Sequence, residues 1–242
     1  MFGLGTIINV LAIIAGGIFG FAGGRFMKEQ LQDTLMKVCG VGTLFVATSG
    51  VMEKMLVITD GKVSSTGGML VIICLAIGGL VGELLNIEGG FERFGEWLKI
   101  KTGNVRDMGF VDAFVTASLT VCIGAMAIVG SIEDGLTGNY SILATKAVLD
   151  LIIIMVMTSS MGKGCVFSAI PVAILQGGIT ILAGFMKVLM TEAALSNLSL
   201  VGNVLIFCVG VNLVREKTFR VANMLPALLI PIAAEVWNIW AV

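Results

Sequence analysis

The sequence contains no histidine and few charged residues: Asp, Glu, Lys and Arg make up 13% of its 242 residues. That is about half the share usual in soluble globular domains. The 15 basic and 16 acidic side chains are too few to cover the surface of a soluble domain of this length. These shortages exclude a nucleic-acid-binding protein, a secreted disulfide scaffold and a disordered chain.

The motifs of metal and cofactor chemistry are also missing. The five cysteines are well separated in apolar runs, no CxxC occurs, and small buried packing residues are the ordinary explanation. The chain has no HExxH, no GxSxG and no nucleotide-binding motif. We therefore expect no metal site, no cofactor, no nucleic-acid partner and no enzymatic activity.

Long apolar segments are what the sequence does have. Hydrophobic residues make up 57% of the chain, and the mean hydropathy is +1.03. A helix needs about 20 apolar residues to cross the hydrocarbon core of a bilayer. The pattern predicts an all-α polytopic membrane protein with eight spans, and seven is the alternative. The predicted spans cover residues 4–24, 38–58, 68–87, 109–131, 141–160, 165–187, 198–214 and 222–241.

A different pattern fills residues 88–108, between spans 3 and 4. Phe91, Phe94 and Trp97 recur at helical spacing, with charged residues between them. This predicts an amphipathic helix lying along the membrane surface and anchored by Trp97.

Basic residues predict the orientation of the spans. Loops 1–2, 3–4, 5–6 and 7–8 hold 11 Lys and Arg residues, whereas the other loops and both termini hold three. Cytoplasmic loops of membrane proteins are enriched in Lys and Arg. We therefore expect the first set of loops in the cytoplasm and both termini outside.

The chain also carries a weak internal similarity. Residues 12–18 (AIIAGGI) resemble residues 173–179 (AILQGGI), and residues 83–87 (ELLNI) resemble residues 235–239 (EVWNI). Spans 1–3 would then repeat as spans 6–8 in the opposite orientation, as in many secondary transporters. Within this single transmembrane domain, residues 1–87 form the first repeat, 88–108 the interfacial segment, 109–164 the central spans and 165–242 the second repeat.

The three prolines all fall in the second copy, inside spans 6 and 8. Pro171, Pro226 and Pro231 each remove a backbone donor and bend a helix. Breaks of this kind persist at membrane depth where a cavity or a neighbouring helix satisfies the freed backbone groups. We therefore expect spans 6 and 8 to be broken helices beside the solute path.

Ionisable residues within the spans mark a pathway or a buried pair. Asp150 lies deepest, and Lys146 precedes it by one turn, which suits an i,i+4 ion pair. Structural neutralisation and a transport role both remain open for this pair. Asp112, Thr116 and Thr120 recur every four residues in span 4 and form a polar stripe.

Other polar residues stand near the predicted span ends. Adjacent acids at the end of span 4 could gather cations or form a solvated turn, and Glu83 and Glu235 occupy matched positions in the two repeats as candidate gates. The candidate pathway residues are Asp112, Thr116, Thr120, Ser131, Glu133, Asp134, Lys146, Asp150 and Ser159.

The segment from Cys122 to Leu136, which contains GAMAIVGSIEDG, and the following 146–150 stretch (KAVLD) resemble a bacterial family. The chain is similar along nearly its whole length to the YqgA/YdfK-type inner-membrane proteins, a domain of unknown function. The resemblance implies a multi-pass protein of the bacterial cytoplasmic (inner) membrane. It assigns no role to any residue.

Two functions from different classes fit these patterns. A secondary transporter or channel for a small solute or ion, with or without cation coupling, is favoured by the repeat, the broken helices and the polar central spans. A membrane scaffold or regulatory subunit is the alternative, with glycine stripes mediating assembly. The expected partners are the lipid bilayer, a small solute or ion, and further copies of the chain in a homo-oligomer.

Overall fold

The computed structural model describes residues 3–24, 28–59, 62–122, 125–184, 191–215 and 218–240, without the side chains of 29, 32, 59, 125 and 235–240. Within these ranges the chain is almost entirely helical. Two short 3-10 helices, Lys163–Ser168 and Leu225–Leu228, interrupt the later α-helices. The α-helices are α1 Leu4–Gly24, α2 Glu29–Met55, α3 Gly68–Leu85, α4 Ile87–Lys101, α5 Phe110–Cys122, α6 Ala125–Thr137, α7 Ser141–Met161, α8 Ala169–Ile181, α9 Glu192–Val214, α10 Val221–Met224 and α11 Leu229–Trp240.

Six helices of the described part are long and apolar enough to cross a membrane, or seven if the bent pair α5 and α6 counts as one span. The predicted all-α membrane architecture agrees with this. The eighth predicted span, residues 222–241, corresponds to a shorter apolar run that α10, a 3-10 helix and α11 divide. The six long helices are Leu4–Gly24, Asp33–Met55, Gly68–Leu85, Ser141–Met161, Lys163–Ile181 and Glu192–Val214.

Span 4 differs from the single span predicted over residues 109–131. It consists of α5 and α6, whose axes meet at 61°. Residues 123 and 124, which lie between them, are outside the described ranges. The second half also runs further than predicted, because α6 continues to Thr137.

The predicted second span, residues 38–58, is also different at both ends. α2 begins nine residues earlier, at Glu29, and ends at Met55. The chain then forms a two-stranded antiparallel hairpin of β1 Leu56–Thr59 and β2 Lys62–Ser65. The intervening Asp60-Gly61 pair, outside the described residues, is the dipeptide that two-residue hairpin turns favour.

Glycines bring α1 and α7 into close backbone contact. A Cβ atom at Gly16 or Gly20 would overlap the backbone carbonyl of Leu151 or Met155, respectively. Gly24 stands in the same way against the backbone of Ser159. Small residues permit such an approach, which maximises dispersion contact where lipid offers no hydrophobic driving force.

The contacts of α1 with α7 advance in the same direction along both helices, so this pair is parallel. Three other pairs run antiparallel: α1 with α8, α2 with α9, and α3 with the α10 segment, which comprises α10 and the 3-10 helix Leu225–Leu228. In each pair, contacts that advance along one helix move backwards along the other. The contacts that establish this are Thr6 with Thr180 and Asn9 with Gln176, Gly40 with Val214 and Gly50 with Asn203, and Gly78 with Ala227 and Gly82 with Asn223.

The predicted amphipathic helix is present as α4. Its buried side contributes Leu98, which belongs to one apolar cluster with Phe110 and Phe114 of α5. Its other side exposes Trp97, stacked on Phe94 with ring centroids 5.7 Å apart. α4 therefore packs against the start of span 4 and holds it in place.

Candidate functional site at a broken helix

The predicted pair of Lys146 and Asp150 forms a direct ion pair on α7. Both side chains are almost fully buried, with exposed fractions of 8% and 5%. The Lys146 ammonium also donates a hydrogen bond of 2.8 Å to the backbone carbonyl of Val121 on α5. A buried charge pair is tolerated only when further hydrogen bonds satisfy its remaining polar atoms, and this second bond does so for the lysine.

The bend between α5 and α6 explains why that carbonyl is available. In a straight helix the carbonyl of Val121 would accept the N–H four residues later. α5 ends at Cys122 and α6 runs at 61° to it, so Val121 stands in the last turn of α5. The C-terminal end of a helix carries partial negative charge, which a cation such as the Lys146 ammonium stabilises.

Neutral polar side chains from α1 and α8 meet beside the ion pair. Asn9 and Gln176 are both fully buried, and the Asn9 amide donates to the Gln176 carbonyl oxygen at 3.3 Å. Asn9 also lies beside the Asp150 carboxylate. One turn further along, the hydroxyls of Thr6 and Thr180 lie 3.5 Å apart. The interior of the bundle therefore contains a polar layer that connects α1, α7 and α8.

The two adjacent acids of span 4 occupy different environments. Glu133 is half-buried and accepts a hydrogen bond from the Asn139 side chain at 3.2 Å. Asp134 is fully buried, and its Oδ2 accepts a hydrogen bond from the backbone N–H of Gly5 at 2.9 Å. Asp134 is thus neither in an open mouth nor in a solvated turn, because α6 continues past it to Thr137.

A cavity of about 270 Å³ opens at the other end of span 4. Asp112 and Thr116 of the predicted stripe line it, and Thr120 donates its hydroxyl hydrogen to the Thr116 carbonyl at 2.7 Å. The described lining includes the carboxylates of Glu88, Glu92 and Asp112 and the guanidinium of Arg220. The lining residues are Glu88, Glu92, Asp112, Val115, Thr116, Leu119, Asn212, Phe219, Arg220 and Val221.

Arg220 joins the ends of three elements beside this cavity. Its guanidinium contacts Glu83 of α3 at 2.7 Å and Asn86 at 3.1 Å, and it lies 3.8 Å from Glu88 of α4. Asn223 accepts a hydrogen bond of 2.7 Å from the Glu88 backbone. Glu83, a predicted gate residue, is thus paired, whereas the side chain of its counterpart Glu235 lies outside the described part.

Ser131 and Ser159 are buried, and their hydroxyls donate within their own helices. The acceptors are the carbonyls of Ala127 at 2.6 Å and Val156 at 2.7 Å. Such bonds satisfy a hydroxyl inside an apolar bundle without a second element. Their place in a solute path stays a prediction.

Sequence analysis missed two contributors to these clusters. Arg220 was counted only among the basic residues of loop 7–8, although its three acidic or amide partners lie more than 130 positions earlier in the chain. The role of the Val121 carbonyl as an acceptor for Lys146 could not be predicted, because every residue has a backbone carbonyl and the sequence does not show which of them is free to accept. Across the described residues, no three His, Cys, Asp or Glu side chains are grouped so that they could hold a metal ion.

Comparison with known proteins places these features in a family. The chain matches the family described as "Protein of unknown function (DUF554)" over residues 4–236. It belongs to that family. The chain is 32% identical to the "Uncharacterized membrane protein YdfK" of Bacillus subtilis (strain 168), over 94% of this chain and 93% of that protein.

A second relative is the "Uncharacterized protein YqgA" of Escherichia coli (strain K12), 25% identical over 98% of each chain. These matches confirm the predicted YqgA/YdfK-type family. Together with the apolar helices they establish a membrane protein. No solved structure gives a significant match.

Proposed function

We propose that the protein is a secondary transporter or channel for a small solute or ion. The observation that carries this proposal is the buried Lys146–Asp150 pair hydrogen-bonded to the broken end of α5. Ionisable residues and interrupted helices are energetically unfavourable in a bilayer, and they occur together at the binding sites of secondary transporters. The proposed path passes between α5, α6, α7 and the broken segments around α8 and α10.

The proposal includes an inverted repeat of spans 1–3 and 6–8, with eight spans in total. All three helix pairs that the repeat equates pack against each other in antiparallel directions. The repeat equates Ala12 with Ala173. Asn9 lies three residues before Ala12, and Gln176, which it contacts, lies three residues after Ala173. A two-fold axis in the membrane plane, through the middle of both helices, produces this arrangement.

The cavity beside Asp112 supports a cationic cargo. Among the described residues, its lining carries the carboxylates of Glu88, Glu92 and Asp112 and the guanidinium of Arg220. A lining rich in carboxylates attracts cations. With the proposed topology, in which both termini lie outside the bacterial inner membrane, this cavity faces the cytoplasm. The polar stripe from Asp112 to Thr120 then leads from the cytoplasm towards the bend.

The glycine stripes weigh against the alternative of a membrane scaffold. Gly16, Gly20 and Gly24 face α7, and Gly78 and Gly82 face the segment from Asn223 to Ala227. These close-packing faces are occupied within the chain, so they do not serve for contacts between chains.

Reconstitution into liposomes tests the proposal. We expect wild-type protein to move at least one of protons, monovalent cations and small amino acids, and Asp150→Asn and Asp112→Asn to reduce that flux. Asp33→Asn is the matched control, because Asp33 is exposed in a surface ion pair with Lys37. If wild type and both pathway variants give identical flux for every solute, the scaffold becomes the better account.

A further inference from the structure

Polar side chains are confined to one half of α1 and to one half of α8. Thr6 and Asn9 are the two polar side chains of α1, and Gln176 and Thr180 are the two of α8. Because these helices run antiparallel, the four residues meet in pairs at the end of the bundle where α1 begins. The remaining residues of both helices, over the described Leu4–Gly24 and Ala169–Ile181, are apolar or glycine.

Asp134 of α6 adds a carboxylate at the same end. It accepts the hydrogen bond from the N–H of Gly5, one residue before Thr6. α6 in turn lies close to α8, since a Cβ atom at Gly135 would overlap the backbone carbonyl of Thr180. The outer polar layer consists of five side chains: Thr6, Asn9, Asp134, Gln176 and Thr180. Its charged member is a carboxylate, so the layer favours positively charged solutes.

Three side chains of the outer polar layer are fully buried and carry an atom without a hydrogen-bond partner among the described residues. The atoms are the acceptors Oδ1 of Asn9 and Oδ1 of Asp134 and the donor Nε2 of Gln176. Almost all buried polar groups of folded proteins are hydrogen-bonded, because an unpaired group loses its hydration without compensation. Apolar side chains would therefore pack α1 on α8 better. Water or a polar solute that enters the layer gives partners to both donor and acceptors.

The outer polar layer leads to the buried ion pair and from there to the cavity. Asn9 lies beside the carboxylate of Asp150, whose ion-pair partner is hydrogen-bonded to Val121 at the end of α5. The stripe from Asp112 to Thr120 then continues along α5 to the cavity at the opposite end. Polar groups thus follow one another through the bundle, on α1 and α8 in one half and on α5 in the other.

The two ends of this route differ in their access to solvent. The cavity beside Asp112 is open, whereas Asn9, Asp134 and Gln176 are fully buried. Hydrogen bonds between α1 and its neighbours α6 and α8 close the outer polar layer. Water can replace such bonds when helices separate, so a polar interface opens to solvent at far lower free energy than an apolar one.

We propose that the outer polar layer is the outer gate of the solute path and opens by separation of α1 from α6 and α8. The inference rests on the proposed transport function and names the route and the class of its cargo, a small hydrophilic cation. When the gate opens, water or cargo replaces the three hydrogen-bonded contacts. Because glycines of α1 pack against the backbone of α7, these two helices move together. The structure is then the state that is closed outside and open inside, one of the two that alternating access requires.

Substituted cysteines test whether water reaches the layer. Thr6→Cys and Thr180→Cys, each in a cysteine-free background, place a thiol of similar size in the gate. A charged, membrane-impermeant methanethiosulfonate reagent reacts with the thiolate, which burial in apolar surroundings suppresses. Leu11→Cys is the matched control, because Leu11 lies two residues beyond Asn9 on α1 and its side chain is exposed on the outside of the bundle.

We expect the reagent to label both gate variants from the side that also reaches Asn139→Cys, and to leave Leu11→Cys unlabelled. A cationic reagent should react faster than an anionic one, and Asp134→Asn should reduce that difference. Gate variants that stay unlabelled while Asn139→Cys reacts, or that react only from the side of Lys163→Cys, would overturn the inference. Labelling of Leu11→Cys at the same rate would do so too. Equal rates for reagents of both signs would reject the cationic cargo.

A reversible cross-link tests whether the layer must open during transport. The hydroxyls of Thr6 and Thr180 lie 3.5 Å apart, so cysteines at both positions can form a disulfide that joins α1 to α8. Oxidation with copper phenanthroline should abolish the flux of this double variant in liposomes, and dithiothreitol should restore it. Oxidation should not change the flux of either single variant, because neither can form the disulfide. A cross-linked protein with undiminished flux, or a pair that does not cross-link, would contradict the gate.

These assays also separate this inference from the proposed function, because labelling requires no transported solute. A labelled gate without flux for any solute retains the outer entrance and rejects transport. Flux that persists in the cross-linked protein retains the transporter and rejects the gate.

Discussion

Asp134 on α6 accepts a hydrogen bond from the backbone N–H of Gly5 on α1, although 129 positions separate the two residues in sequence. The N–H groups in the first turn of a helix have no partner within the helix, and a carboxylate there is also favoured by the helix dipole. Asp134 therefore stabilises the start of α1 from another helix. A predicted mouth residue thus has a structural role at the end of the bundle.

Removal of this carboxylate should destabilise the protein. We expect Asp134→Ala to lower the free energy of unfolding by about 1–3 kcal/mol, because it leaves a buried N–H without an acceptor. Asp134→Asn should lose less, since its amide oxygen can still accept the bond. Thermal unfolding in detergent measures both variants. Glu133→Ala is the control at the adjacent, half-buried acid, and an equal loss there would contradict the assignment.

The Lys146–Asp150 pair should show strong coupling in a double-mutant cycle. Lys146→Met or Asp150→Leu alone leaves one buried charge uncompensated, which typically destabilises a protein by about 3–5 kcal/mol. The combined variant should be more stable than either single variant. The same cycle on the exposed Asp33–Lys37 pair should give a coupling below about 1 kcal/mol. Additive effects at the buried pair would show that the two charges do not stabilise each other.

Close packing of α1 on α7 predicts intolerance of even one methyl group. Gly20→Ala places a Cβ against the backbone carbonyl of Met155. Because the clash is with main-chain atoms, no change of side-chain rotamer relieves it. We expect a loss of about 1–3 kcal/mol, the usual effect of overpacking. Gly42→Ala on α2 is the matched control, since a Cβ there meets nothing within 4 Å. That change should be neutral or stabilising, because alanine favours helix formation by about 1 kcal/mol.

The predicted topology can be tested by labelling single cysteines introduced into a cysteine-free background. Asn139 and Lys163, which are both exposed, flank the two ends of α7. An impermeant thiol reagent should label Asn139→Cys in intact cells and Lys163→Cys only after permeabilisation. The reverse pattern would invert the proposed orientation of the whole chain.

Periodicity and hydropathy were sufficient to predict most of the helices and the ion pair. Lys146 and Asp150 pair because a four-residue spacing places them on the same side of one helix, which depends only on local geometry. The bounds of α7 follow from a continuous apolar run between polar turns. Local rules of this kind hold wherever tertiary contacts do not override them.

The positions that escaped prediction depend on the path of the chain in space. The carbonyl of Val121 becomes an acceptor only because α5 and α6 meet at 61°. Arg220 finds Glu83 only because α3 and the α10 segment lie side by side. The hairpin after α2 escaped prediction for another reason. The Asp60-Gly61 turn signal was present in the sequence, but the apolar segment assigned to span 2 extended to residue 58 and obscured it.

The shortness of α5 has an electrical consequence. Thirteen residues at 1.5 Å each span about 20 Å, less than the roughly 30 Å hydrocarbon core of a bilayer. The cavity at one end of α5 reaches Leu119, so in the proposed transporter the resistive barrier between the two compartments is thinner than the bilayer there. The membrane voltage then falls over the short stretch around Lys146 and Asp150. Unbalanced charge that crosses this stretch would sense nearly the full potential, about 2.3 kcal/mol per charge at 100 mV.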